Sequence, residues 1–336
     1  MIRSLPCYVG APVNRVRCAL VPFFGAVLTG LLAASCGLGA ASAPTPKRSH
    51  KPKPVAESTL GSGPMARVPS GTFGPHMVLT EAGAFVAWAE PDAAGGVTWH
   101  TMVSATATRL RLGPELPKTA GLLSFFELGH AAGGAVLTHI TKQGRIDAVS
   151  ATLLRASGAA APQELSAAEG EVLWADSAAD PGGVRVLWAR LHGPDADISS
   201  AVVNRVGVAA PSEVLRTGTI GWQVASGPAG TWLATLEGSS ALAKLVLTRL
   251  DVPTAARKSI EVAQELKGAD QLDLWVGTAG LVVVFRDGQP NAPSLRVVEV
   301  DRTGTAKAPR PVTAPRREQS LLEFVPGGAS RDPWLA

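Results

Sequence analysis

The sequence has few of the residues that usually mark a cross-linked fold or a catalytic centre. All three cysteines, Cys7, Cys18 and Cys36, lie in the first 36 residues, so the later chain can form no disulfide of its own. Only one tyrosine is present, and charged residues make up 17% of the chain. The hydrophobic content of 46% excludes a chain that is disordered throughout. The later part must therefore fold around a packed apolar core.

Motifs that carry chemistry are also missing. The sequence contains no Gly-x-Ser-x-Gly motif and no glycine-rich phosphate loop with its lysine. Its six histidines are scattered without H-E-x-x-H spacing, and His139 ends a predicted strand, which favours a packed core histidine. Asp195 and Asp197 are spaced like the start of a calcium loop, but no third ligand follows, so we predict an exposed acidic loop. We assign no catalytic, metal-binding or cofactor-binding residue.

The first 35 residues have the pattern of a secretory signal peptide. Arg3, Arg15 and Arg17 precede an apolar run, 19–34, that is short for a membrane span and contains Pro22. The run ends in Leu-Ala-Ala-Ser-Cys at 32–36. A cleaved signal is therefore favoured over a retained transmembrane anchor.

The end of this run resembles the lipobox of bacterial lipoproteins. In that family small residues precede an invariant cysteine, which is acylated and becomes the first residue after cleavage. The resemblance implies lipidation, with a fatty acid such as palmitate, at Cys36. It departs from the family pattern at Ala33, where a leucine is usual, and the alternative is an ordinary signal peptide with a chance cysteine. Gly37 is not the Asp that retains lipoproteins in an inner membrane, so the resemblance implies an outer membrane if the cell has two.

Residues 36–70 read as a disordered linker between the membrane and a domain at 71–336. The segment is rich in Pro, Ser and Lys and nearly lacks large apolar residues. Its cations could contact anionic headgroups or wall polymers, although a solvated stalk is the simpler interpretation. The formal net charge of +4 includes the three arginines of the signal, which leaves +1 for the remainder. Nucleic acid is therefore not an expected partner.

The rest of the chain repeats one unit about every 49 residues. A short β-branched or aromatic run recurs five times, with starts 51, 49, 47 and 50 residues apart: Ala84–Trp88, Ala135–His139, Val184–Trp188, Thr231–Thr235 and Leu281–Phe285. The units lie at about 76–120, 121–169, 170–218, 219–269 and 270–319. A period of this length with about four strands per unit is typical of propeller blades. We predict an all-β protein, a β-propeller of five to six four-stranded blades that could be incomplete.

Aromatic residues repeat with the same period. Phe125, Trp174, Trp275 and Phe324 occupy matching places ahead of the recurring runs, and Trp222 lies about two positions early. Because one sheet cannot cover both of its own faces, we expect stacked sheets with aromatic wedges between them. By this reasoning Trp88, Trp174, Trp188 and Trp275 are packing residues.

The last unit is short. A sixth first strand is expected at Leu321–Val325, and the chain stops as its second strand should begin. Arg67–Phe73 could supply a closing outer strand. An incomplete chain or an open ring is favoured, because a sheet edge left in mid-pattern invites aggregation.

Residues 76–336 resemble repeats common in secreted bacterial propellers of unassigned role, best at 85–102 and 186–207. Gly96-Val97-Thr98-Trp99, with Asp92 ahead, resembles the Asp-box of sialidase-like propellers, where it is a structural turn. A glycosidase needs paired carboxylates. Surface turns explain the acids near the first strands better: Glu127, Glu171, Asp176, Asp273 and Glu323.

Three functions remain open. The first is a membrane-anchored, envelope-exposed lipoprotein that binds or scaffolds an envelope protein or polysaccharide without catalysis. The second is a secreted carbohydrate-active propeller enzyme, sialidase-like or a lyase, which rests on analogy of fold. The third is an outer-membrane assembly factor resembling the propeller lipoprotein of the barrel-assembly machinery.

Overall fold

A computed structural model describes residues 72–93, 95–104, 110–193, 195–239, 241–289, 292–312, 324–325 and 334–335. Cys36 and the predicted segments 1–35 and 36–70 lie outside this part, so their assignments stay predictions. Within it, the regular elements are β-strands apart from one 3-10 turn, Thr254–Ala256. No helix among the described residues is long and apolar enough to cross a bilayer. The predicted all-β class is confirmed.

The strands follow one another along the chain as successive antiparallel meanders. The first sheet contains β1 (Phe73–Thr80), β2 (Gly83–Pro91), β3 (Val97–Ser104) and β4 (Arg111–Leu112). The second contains β5 (Leu122–Ala131), β6 (Gly134–Gln143), β7 (Ile146–Arg155), β8 (Gly158–Ala159) and β9 (Gln163–Glu169), and both β8 and β9 pair with β7.

Two further meanders are joined into one seven-stranded sheet. Its strands are β10 (Val172–Asp180), β11 (Gly183–His192), β12 (Asp195–Asn204), β13 (Glu213–Gly227), β14 (Gly230–Ser239), β15 (Leu242–Arg249) and β16 (Ser259–Leu266). The early part of β13 pairs with β12 and its later part with β14, and the change falls at Thr219. We call the halves on either side of this residue the third and fourth sheets.

The fifth sheet repeats the same order. It contains β17 (Leu272–Val276), β18 (Gly280–Gln289), β19 (Ala292–Asp301) and β20 (Arg310–Pro311). A pair of short strands follows, β21 (Phe324–Val325) and β22 (Trp334–Leu335). Phe73 pairs with Ala89 in the first sheet, and the preceding residues of the proposed closing strand lie outside the described part.

The recurring runs form the second strand of each of the five sheets, as predicted. β6 shows why these runs are almost continuously apolar, since its first eight residues are all buried. Alternate residues contact different neighbours: Ala135 and Leu137 join a core with the first sheet, and Val136 and Ile140 join one with the third. A strand covered on both faces has no position for an exposed polar side chain. Each sheet therefore covers a face of the next, which is the propeller-type stacking that the repeat predicts.

The first strands contact one another in chain order, β1 with β5, β5 with β10, β10 with β13 and β13 with β17. Gly129 shows how close this approach is. A Cβ atom there would collide with the Ser177 hydroxyl of the next first strand. The prediction of sheets stacked side by side is confirmed for the described residues, and their first strands are in contact.

The tryptophans divide into two groups. Trp188 is 1% exposed between the second and third sheets, and Trp174 stacks on Trp222 with ring centroids 5.5 Å apart. These wedges are confirmed. Trp88 is only half-buried and stacks on His100 of its own sheet, so it is not a wedge between described sheets.

The matching of first-strand aromatics is wrong in two of the sheets. Trp275 pairs with Val282, the second residue of its run, and its half-buried ring covers Gly277 in the following turn. Trp222 pairs with Thr235, the fifth residue of its run, so it is not early. Phe126 occupies the equivalent position in the second sheet, because it also pairs with the fifth residue of its run. Turn and loop lengths differ between units, and only the pairing register shows which residues are equivalent.

Candidate functional site

A concave surface of the described part lies where the first strands of the third and fourth sheets turn into their second strands. It is a groove of about 610 Å³. Small and polar residues line it: His130, Ser177, Ala178, Ala179, Asp180, Pro181, Ala225, Ser226, Gly227, Gly230, Thr231 and Asp251. Its volume lies within the usual range of small-molecule sites. Short side chains at the strand ends leave the space open.

Hydroxyl groups form one side of this groove. The Thr231 hydroxyl donates to the carbonyl oxygen of Ala179 at 2.5 Å, across the boundary between the third and fourth sheets. The Ser226 and Thr231 hydroxyl oxygens are 2.9 Å apart. Because Thr231 uses its hydrogen on Ala179, Ser226 donates to Thr231. Both hydroxyls then face a ligand mainly as hydrogen-bond acceptors.

Asp180 forms a second wall, and its carboxylate is held by an arginine. Arg185 donates to Oδ2 through Nε at 3.1 Å and Nη2 at 2.9 Å, and the Gly182 amide donates to Oδ1 at 2.9 Å. Arg185 is 5% exposed and also bonds Glu213 at 2.8 Å. Such fixed pairing keeps both groups in one geometry. Asp180 is therefore an oriented acceptor.

The pairing continues away from the groove. Glu213 also accepts a hydrogen bond from Arg257 at 2.8 Å. Burial acts to raise the pKa of Glu213, but the hydrogen bonds from Arg257 and Arg185 outweigh it and lower the pKa below its usual value. The chain of ion pairs ties the start of β13 to the turn that carries Asp180.

Asp251 forms the opposite wall. Arg249 donates to it through Nε at 2.7 Å and Nη2 at 3.1 Å, and the guanidinium lies 5.9 Å from the centre of the Trp232 ring. Burial acts to raise the pKa of Asp251, but the hydrogen bonds from Arg249 lower it overall. Gly230, with φ +108°, makes room here, since a Cβ atom would lie 2.7 Å from a carboxylate oxygen of Asp251. Asp251 therefore stays ionised and fixed near neutral pH.

The rim of the groove carries a residue from another sheet. His130, on β5, has its Nε2 atom 3.0 Å from the Glu81 carboxylate of the first sheet's hairpin turn. Both side chains are largely exposed. The groove therefore collects groups from the second, third and fourth sheets.

The acids predicted to lie in surface turns are instead mostly in strands. Glu127, Asp176 and Asp273 lie within β5, β10 and β17, and Asp176 is 4% exposed. Glu171 is exposed just before β10, and Glu323 lies outside the described residues. Asp176 and Asp273 each accept the amide hydrogen of the next residue, at 2.6 and 2.8 Å. The sequence pattern did not reveal this. The residue patterns of the first strands are irregular, so the ends of these strands cannot be located without knowing which strands they pair with.

Glu127, Asp176 and Asp273 also share one register position on their first strands, which we call a level of the stacked sheets. On each first strand, the residue that pairs with the fourth residue of the recurring run is polar: His76, Glu127, Asp176, Gln223 and Asp273. Because neighbouring first strands are in contact, the register places the five at equivalent positions on successive strands. An alignment of the units on their hairpin turns would have revealed them.

Other predicted residues have structural surroundings. His139 is 4% exposed and lies 5.2 Å from the Trp99 ring, so the core-histidine prediction is confirmed. Asp195 and Asp197 lie in β12, where Asp197 is 3.4 Å from His192, so the prediction of a loop is wrong. No group of three or more His, Cys, Asp or Glu in the described ranges is arranged to hold a metal ion.

The Asp-box-like segment forms the hairpin turn between β2 and β3. Asp92 accepts the Gly96 amide hydrogen through its side chain at 2.9 Å, and its own amide donates to the Gly96 carbonyl at 2.8 Å. The Trp99 indole donates to the Thr119 hydroxyl at 2.7 Å. This agrees with the structural role that the resemblance implies.

Comparisons with known proteins show that this chain resembles some solved structures in fold. The sequence matches no protein-family model, and none of the curated proteins matches it. Among solved structures, an ulvan lyase of a polysaccharide lyase family is 11% identical over 74% of this chain and 71% of its own, with a TM-score of 0.44. A thermostable family-43 glycoside hydrolase is 10% identical over 74% and 95%, with a TM-score of 0.39. Chaetomium thermophilum Sqt1, bound to the N-terminus of ribosomal protein L10, is 16% identical over 73% and 64%, with a TM-score of 0.40. At these values the likeness concerns general architecture alone.

Proposed function

We propose that this protein is a lipid-anchored binding module of the cell envelope, which holds a partner in the groove between the third and fourth sheets without chemically changing it. Lipidation at Cys36 and the linker 36–70 would tether the domain outside the cytoplasm. The observation that carries the binding role is the fixed orientation of Asp180 and Asp251. Each carboxylate is held in place as a hydrogen-bond acceptor by its own arginine.

Carboxylates that are held as hydrogen-bond acceptors by arginines suit recognition better than proton transfer. A general acid must hold a proton near neutral pH, which requires a raised pKa. The pKa of Asp251 is lowered, and the Asp180 carboxylate accepts three hydrogen bonds. Pre-oriented acceptors around a preformed groove reduce the cost of ordering on binding.

The anchor is tested by metabolic labelling with tritiated palmitate in a bacterial host that has the lipoprotein-processing enzymes. The parent protein should take up label and sediment with membranes, and Cys36→Ser should do neither. Cys18→Ser is the matched control and should behave like the parent. Equal labelling of Cys36→Ser and the parent would contradict the lipoprotein assignment.

The binding role is tested by immobilising residues 71–336 and passing protein-free envelope glycans over them. The expected result is retention of a glycan fraction that elutes with unchanged chain length by size-exclusion chromatography and mass spectrometry. Shortened chains in the eluate would overturn the non-catalytic role. Retention equal to that on blank resin would overturn binding.

A second candidate function has one observation in its favour. Glu127, Asp176 and Asp273 occupy the same level of successive first strands, and glycoside hydrolysis needs carboxylates that converge on a substrate. A reducing-end assay on a panel of polysaccharides tests it. Activity that is lost in Asp176→Asn but kept in Asp195→Asn, a control on the edge of β12, would favour an enzyme.

A further inference from the structure

We infer that the groove between the third and fourth sheets binds a neutral, unbranched oligosaccharide through the sugar hydroxyls. This inference rests on the proposed binding function and names the chemical class of the ligand. Three features of the groove support this ligand class: its hydrogen-bonding groups, the cancellation of charge around it and its shape.

The inventory favours a ligand that donates hydrogen bonds. Thr231 and Ser226 have used their hydroxyl hydrogens within the protein, on Ala179 and on Thr231. The two carboxylates, Asp180 and Asp251, can only accept. A sugar carries several hydroxyl hydrogens and matches such a surface, whereas a ligand that offers only acceptors finds no hydrogen-bond donor among these four groups.

The charges near the groove favour a neutral ligand. The negative charges of Asp180 and Asp251 are cancelled by Arg185 and Arg249, which bind them at 2.7–3.1 Å. Neither arginine lines the groove. An anionic ligand would therefore meet carboxylate oxygens rather than the cations behind them. A cation would lose hydration and find acceptors whose charge is already balanced.

The shape favours a short stretch of chain. The groove has about 610 Å³ of space and is partly open to solvent. The methyl and ring carbons of Ala178, Ala179, Ala225 and Pro181 supply apolar contact between the polar walls. Sugar rings present both C–H surface and hydroxyl edges, so both parts of the lining are used.

The test is isothermal titration calorimetry on residues 71–336 against three neutral hexasaccharides: cellohexaose, maltohexaose and laminarihexaose. At least one should bind with a dissociation constant of about 1 mM or tighter. Two charged relatives of cellohexaose, a β-1,4-linked mannuronate hexasaccharide and a β-1,4-linked glucosamine hexasaccharide, should each bind at least about tenfold more weakly than the best neutral one. Failure of all three neutral probes, or tighter binding of either charged one, overturns the inference.

Two variants test whether the ligand binds in this groove. Ser226 is exposed at the groove end of β13, so Ser226→Leu should fill the space and weaken binding at least about tenfold while the thermal midpoint stays within a few degrees. Ser212→Leu makes the same change at an exposed position outside the groove and should leave the affinity unchanged. Unchanged affinity in Ser226→Leu overturns the inference. If envelope glycans are still retained by that variant, the proposed binding function stands and only this ligand site fails.

Discussion

His139 and Phe285 occupy the same place in two sheets and differ in chemistry. Each is the fifth residue of its recurring run, and each packs toward the preceding sheet, His139 beside Trp99 and Phe285 within the core shared by the fourth and fifth sheets. They are 4% and 0% exposed. In these two sheets the place is buried, and it accepts either an apolar ring or an uncharged imidazole.

The interface between the first and second sheets, at His139, differs from the interface between the fourth and fifth sheets, at Phe285, in the side chains that surround the buried ring. Around Phe285 the packing is apolar, with Leu245, Leu272 and Val283 in the same cluster. At His139 the Nδ1 atom has no hydrogen-bond partner among the described residues. Burial lowers the pKa of this imidazole to about 4, which keeps it neutral. Phe285 is therefore packed among apolar side chains, whereas the contribution of His139 to stability depends on pH.

The largest expected effect comes from a substitution that removes the Phe285 ring from the apolar interface. Phe285→Ala removes a fully buried ring and should lower the free energy of unfolding by about 4 kcal/mol, because the cavity adds to the lost burial. Urea unfolding followed by tryptophan fluorescence measures it. Leu242→Ala is the control, since Leu242 is 56% exposed, and should change stability by less than about 0.5 kcal/mol. A loss at Phe285 no larger than that of the control would contradict the shared core.

The next effect uses pH to separate the two interfaces. The unfolded imidazole has a pKa near 6.5, and the folded one about 4, so the unfolded state binds its proton first as the pH falls. The contribution of His139 is fully present above about pH 6.5 and is lost as the pH falls toward 4, by about 3 kcal/mol. Urea midpoints at intervals between pH 7.5 and 4 measure this, with His139→Phe as reference. The same slope in both proteins would show that His139 is not the group responsible.

The smallest expected effect comes from a substitution that gives position 139 the same residue as position 285. At pH 7.5, His139→Phe should raise the free energy of unfolding by about 1 kcal/mol, since it removes a buried nitrogen that has no partner and keeps an aromatic ring beside Trp99. Denaturant unfolding at fixed pH is the measurement. His192→Phe, at an exposed histidine of β11, serves as the control and should give less than about 0.5 kcal/mol. A destabilisation by His139→Phe would mean that the pocket is shaped for imidazole.

Much of the architecture could be predicted because second strands carry a strong local signal. Four of the five runs are buried on both faces and the run in β2 mainly on one, so the runs are short and largely apolar, and each lies inside a strand of the structure. First strands carry a weaker signal. Their polar residues, such as Asp176 and Gln223, interrupt the apolar pattern, and for this reason the acids were assigned to turns and Trp275 was aligned at the wrong level.

The groove could not be predicted in the same way. Its residues come from separated parts of the chain, among them His130, Asp180, Ser226 and Asp251. None belongs to a motif, because an acceptor fixed by an arginine needs only spatial proximity. Asp180 and Ser226 precede the turns into β11 and β14 and so have a sequence signal once the units are aligned. His130 precedes the turn into β6 and has the same signal, whereas Asp251 has none.

By itself, the sequence determined the strand class, the period and the stacking of sheets, since a repeated apolar run that is too short for a helix must be covered by its neighbours. It also carries the prediction of a lipid anchor at Cys36. Only the tertiary structure decided which side chains share a level and which carboxylates are held by arginines. The physical reason is that burial leaves a periodic trace along the chain, whereas a hydrogen-bonded groove depends on distances between residues that are remote in sequence.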